Sequence, residues 1–94
     1  MLVELVEIKR AINGSYTLNT IYLNPKHIIY ISEDQIMSGM MKEGKVNIGL
    51  IEGATFSRIK INDKASSSEI TVVGEPSLIE NKIFKQRKNT ILRG

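Results

Sequence analysis

Fifteen isoleucines against seven leucines, with valine and threonine bringing the β-branched set to 25 of 94 residues, are the strongest limit on how this chain folds. Two heavy atoms on Cβ stiffen χ1 and suit a pleated, half-buried surface better than a helix. The expected class is therefore mainly β or α+β, a small antiparallel sheet or barrel of five to six strands with one C-terminal helix. A chain of this length supports one core and buries only about 60 to 65% of its unfolded surface, so assembly into a homo-oligomer would add needed burial. We read one domain, with a sheet body over 1–76 and a helix and basic tail over 77–94. The isoleucine and asparagine content also matches AT-rich genomes, those of phages included.

Turn chemistry divides the body. Leu2 to Arg10 has apolar residues at 2, 3, 5, 6 and 8, and Asn13-Gly14 follows. That dipeptide tolerates positive φ at both positions of a type I′ turn, so a hairpin into a second strand over Ser15 to Leu23 is expected. Asn24-Pro25 ends that strand, since proline donates nothing to a ladder. A third strand is expected over Ile28 to Ser32. Glu33 to Lys45 is irregular, with Met37, Met40 and Met41 on one face of a single helical turn. Alternation at Val46, Ile48 and Leu50 predicts a fourth strand, Glu52-Gly53 a turn, and Phe56 to Ile61 a fifth strand. Asn62 to Ser68 reads as a polar loop and Glu69 to Val73 as a sixth strand. Ser77-Leu-Ile-Glu80 matches a capping box opening a helix from Leu78 to about Arg87, with Asn89 to Gly94 frayed.

Several chemistries lack their residues. With no cysteine, there is no disulfide framework, thiolate nucleophile or Cys-based metal site. No apolar run reaches the roughly 20 residues of a membrane span, and the acids at Glu4 and Glu7 stand where a signal peptide carries positive charge, so a cytoplasmic protein without membrane contact is expected. His27 is the sole histidine and has no companions at metal-ligand spacing. There is no Gly-x-Ser-x-Gly elbow and no glycine-rich phosphate loop, and Glu33 and Asp34 are adjacent in a loop, where successive side chains diverge. A non-enzymatic protein without cofactor or metal is expected.

Binding surfaces are easier to find. Arg58 and Lys60 share a strand face beside Phe56, and with His27 they are candidate contacts for a small anionic ligand such as a nucleotide. Met37, Met40 and Met41 either contact a protein partner or fill the core under their own segment. The formal charge of +3 is split unevenly: residues 1–81 carry 8 basic and 10 acidic side chains, and Lys82, Lys85, Arg87, Lys88 and Arg93 follow without an acid. Those five residues are the candidate nucleic-acid contacts of an alternative reading. The leading expectation is an oligomeric binding protein that occupies a protein partner or sequesters a small anion at a subunit interface.

Three stretches, Ile21-Tyr-Leu-Asn-Pro-Lys-His-Ile-Ile-Tyr-Ile31, Val46-Asn-Ile-Gly-Leu-Ile-Glu-Gly53 and Val72 through Ile83, resemble the skeleton of small FlbD-type flagellar proteins. Similar strand-and-turn patterns occur in small phage-encoded β proteins. The resemblance implies a compact sheet with a C-terminal helix and no catalytic residues. The Glu33 to Lys45 excursion, the strand at Glu69 to Val73 and the basic tail depart from that pattern.

Overall fold

The computed structural model describes residues 2–44, 54–63 and 66–93, with α2 side chains described through Lys85. Five strands form one sheet: β1 (Val3–Arg10), β2 (Tyr16–Leu23), β3 (Ile28–Glu33), β4 (Phe56–Asp63) and β5 (Ser66–Val73). Helix α1 (Gln35–Lys42) lies between β3 and β4 in the chain, and α2 (Pro76–Arg93) follows β5. The strand expected at Val46 to Leu50 and the Glu52-Gly53 turn lie outside the described residues.

The strand order is β2-β1-β5-β4-β3, with every neighbouring pair antiparallel. β1 and β2 pair without interruption from Val3 opposite Leu23 to Arg10 opposite Tyr16. Their turn differs from the expected type I′. Only Gly14 has positive φ (87°), while the Gly14 amide donates to the Ala11 carbonyl and the Ala11 amide to that of Ser15. This is a three-residue hairpin loop with glycine in the left-handed position. Asn13 keeps ordinary φ and uses Oδ1 to accept from the Ser15 amide and hydroxyl.

A short connection curls the sheet. β2 and β3 are its two outer strands, yet only Asn24–His27 link them, wound as a 3-10 turn over Pro25–His27 with Asn24 Oδ1 accepting from the Lys26 amide. Across a flat five-stranded sheet the outer strands stand about 19 Å apart. Fully extended chain from Leu23 to Ile28 reaches about 17 Å, and the 3-10 turn shortens it further. The sheet must roll so that its edges approach at this end, and Leu23 and Ile28 duly pack on the same buried cluster. The result is a sheet curled at this end, with β2 and β3 unpaired to each other.

Each face of the sheet holds its own core. The inner face carries Val3, Leu5, Ile59 and Val72, all buried, with Ile21, Leu23, Ile28, Ile31, Ile61 and Ile70 around them. Ile79 and Ile83 of α2 close this core. On the outer face, Ile8 and Phe56 meet Met41 of α1, with Met37, Met40, Tyr16, Leu18 and Val73 at the margin. β1 serves both cores, Leu5 inward and Ile8 outward, which explains why its apolar residues do not alternate strictly.

Three local features differ from expectation. The methionine segment is a helix of eight residues because Asp34 caps it, accepting from the Met37 amide at 3.0 Å. β4 and β5 run through most of the expected polar loop, pairing Asn62 with Ser67 and Asp63 with Ser66. Finally, α2 begins at Pro76, whose missing N–H costs nothing at a helix start. The Glu75 carbonyl accepts the first helical amides, from Leu78 and Ile79, and the Ser77 hydroxyl donates to the Glu75 carboxylate, so Ser77 is inside the helix and not its cap. With no glycine or proline from 77 to 93, the helix continues to Arg93, past the expected end and through residues expected to fray.

Candidate functional site

On the outer face, β4 and β5 bring Arg58 beside Thr71, and the start of α1 brings Asp34 over both. Asp34 is buried. Its Oδ1 caps α1 and lies 3.7 Å from an Arg58 guanidinium nitrogen, and its Oδ2 accepts from the Thr71 hydroxyl at 2.9 Å. Arg58 Nε lies 3.6 Å from Glu69 on the other side. Two carboxylates therefore flank Arg58, and its charge is complemented within the chain. Beside this cluster the Asp34 amide donates to the Phe56 carbonyl and the Phe56 amide donates to Ser38 Oγ, so α1 is bonded to the first residue of β4 in both directions.

Lys60 shares the face of Arg58 and sits opposite Glu69 on β5 and Tyr30 on β3. His27 is exposed in the 3-10 turn, immediately before the Ile28–Ile61 pair. The register thus sets Arg58 and Lys60 on one face of the β3–β4 pair, with Glu69 near both, and leaves His27 in the turn beyond the far end of that pair. Met41 is buried on Ile8 and Phe56, with Met37 and Met40 half-buried beside it, so these side chains fill the chain's own outer core. Among the described residues no three His, Asp or Glu side chains converge where a metal ion could sit. No helix of the described residues is long and apolar enough to cross a membrane.

The uncompensated positive charge lies elsewhere. Along α2 runs a groove of about 450 Å³ lined by Val73, Gly74, Leu78, Ile79, Asn81, Lys82 and Lys85. Its position follows from the helix period: 78, 81, 82 and 85 fall on one face, while 79 and 83 turn into the core. At its base, Gly74 takes a φ of 119°, donates to the Thr55 carbonyl and accepts from the Ser57 hydroxyl, which fixes the corner where β5 turns into α2. Leu78 is 54% exposed and Phe84, on a neighbouring face, 63%. Among the described residues the Lys82 ammonium donates to the Glu4 carbonyl alone, at 3.4 Å, and neither Lys82 nor Lys85 meets a carboxylate. The helical backbone extends past both lysines, so Arg87, Lys88 and Arg93 belong to the same helix.

Comparison with known protein families, characterised proteins and solved structures finds no match. Sequence reasoning missed two features of this surface. Asp34 was read as one of two loop acids, although an aspartate three residues before a run of methionines is itself a cap signal. Leu78 is exposed in the groove while its neighbour Ile79 is buried in the core, and with adjacent helical residues about 100° apart no spacing in the sequence says which of the two turns inward.

Proposed function

We propose that this chain is a non-enzymatic, cytoplasmic binding protein that takes an acidic, apolar segment of a protein partner into the groove along α2. The observation that carries this reading is the meeting of exposed Leu78 with Lys82 and Lys85, cations that no carboxylate of the described chain complements. Apolar anchors supply most of the energy of such contacts, while rim charges select the sign of the partner and speed encounter. Arg58 is a weaker candidate for an anion, because Asp34 and Glu69 already occupy it. The resemblance to FlbD-type proteins over 21–31, 46–53 and 72–83 implies no catalytic residues, which agrees with a non-enzymatic reading.

The competing occupant of the same helix is a nucleic-acid backbone, drawn to Lys82, Lys85, Arg87, Lys88 and Arg93. Titrating the full chain with a fluorescent helical peptide of alternating leucine and glutamate, and separately with a fluorescent DNA duplex, distinguishes the two. The peptide is expected to bind, and Leu78→Ser to weaken it about tenfold while leaving the fold intact. Lys82→Ala with Lys85→Ala should lower both affinity and its salt dependence. Peptide binding indifferent to Leu78→Ser overturns the reading. Tight duplex binding that collapses with salt and ignores Leu78 assigns the helix to nucleic acid instead.

A further inference from the structure

The two edges of the sheet are built differently. β3 is short, has a register shift between Ile28 and Tyr30, ends on Glu33 and is flanked by the 3-10 turn and the capped start of α1. Bulges, short length and terminal charge are the usual ways to stop an edge strand from recruiting another strand. β2 has none of them. It runs eight residues in unbroken register with β1, contains no proline, and is the one described strand without a charged side chain. Among the described residues, no backbone group of Tyr16–Leu23 bonds to anything except β1.

We infer that β2 pairs antiparallel with β2 of a second copy of this chain, joining the two sheets across a two-fold axis. Self-pairing accounts for the missing charge, because residues near a two-fold face their own counterparts and any charge there would meet its like. A two-fold normal to the sheet keeps each face on its own side, so residues of equal parity meet. Centred on Thr20, it sets Thr20 against its counterpart and Leu18 against the second copy's Tyr22. Tyr22 is 64% exposed in the single chain, the Thr–Thr pair is a favourable cross-strand combination, and Leu18 gives the Tyr22 ring an apolar neighbour. The inference stands on the β2 edge alone and is independent of the α2 groove.

The absence of cysteine makes the test direct. Single substitutions Thr17→Cys, Asn19→Cys, Thr20→Cys and Tyr22→Cys are placed along β2, at side chains exposed in the single chain, with Ser32→Cys on β3 as control. Paired strands bring facing Cα atoms to about 4.5 to 5.5 Å, within disulfide reach. Oxidation should give a covalent dimer whose yield peaks within β2, with none from Ser32→Cys. At the peak position, a lysine and a glutamate variant should each weaken the dimer about tenfold or more in sedimentation, with unchanged circular dichroism, and an equal mixture of the two should restore it. A monomeric wild-type chain at high micromolar concentration, or crosslinking at Ser32 equal to that on β2, overturns the inference.

Discussion

The two helices are fastened to opposite faces of one sheet by different means. α2 drops Ile79 and Ile83 into a core of branched aliphatic side chains, and its described side chains make a single polar reach to the sheet, from Lys82 to the Glu4 carbonyl. α1 offers methionines to Phe56 and Ile8 and is latched by polar groups: Asp34 to its own Met37 amide and to Thr71, and Ser38 to the Phe56 amide. Length explains the contrast. A helix of eight residues is too short to persist unaided, so fixed termini must supply what helical cooperativity does not. α2, more than twice as long, needs only an apolar seat at its first turns, leaving its outward face free to bind.

The largest effects should separate the two cores. Stiff β-branched side chains pack with little slack, so Ile59→Ala, at a site with no solvent exposure, should cost about 4 kcal/mol, near the upper part of the range for such truncations. Met41→Ala, next to two further flexible thioethers that can relax into the gap, should cost about 2 kcal/mol. Urea unfolding of both variants measures the difference. Equal losses would mean that the outer core is as tightly fitted as the inner one and that the contrast lies in the latch alone.

The helix starts come next. Asp34→Ala removes the cap of α1, the acceptor of the Thr71 hydroxyl and one neighbour of Arg58, and should cost about 2 kcal/mol. Ser77→Ala removes only an exposed bond to Glu75 and should stay within about 0.5 kcal/mol. A comparable loss at Ser77 would show that α2 relies on its cap after all.

These sites also mark what a single sequence conveys. Apolar and β-branched runs bounded by turn residues locate β1, β2 and β3, and alternation locates β4 and the second half of β5, because side-chain pattern and the backbone demands of Asn13-Gly14 and Asn24-Pro25 are local properties. The partners of Arg58 are not local: Glu69 meets it through the β4–β5 register, and Asp34 bonds to Thr71 across 37 positions. No spacing rule encodes such meetings. The Asn62 to Ser68 stretch misleads for a related reason, since ladder bonds propagate past the last apolar pair and carry polar residues into strand conformation. The α2 groove is illegible for the same reason: Leu78 and Ile79 are adjacent apolar residues about 100° apart on the helix, and tertiary packing alone decides that Ile79 is buried and Leu78 exposed.

The finest comparison concerns side-chain shape in the two cores. Methionine has no branch at Cβ, and its three soft torsions let it settle against Phe56 in more than one way. Leucine has similar volume and a higher cost of misfit, so exchanging one for the other asks how closely the site is fitted. Met40→Leu should change stability by less than about 1 kcal/mol, as volume-conserving exchanges usually do. Val72→Ile adds one methylene to a fully buried inner site and should cost about 1 to 2 kcal/mol although it is chemically the milder change. Unfolding midpoints in urea order the pair. If Met40→Leu proves the more costly, α1 is held by a fitted methionine contact and the polar latch at Asp34 and Ser38 is secondary to it.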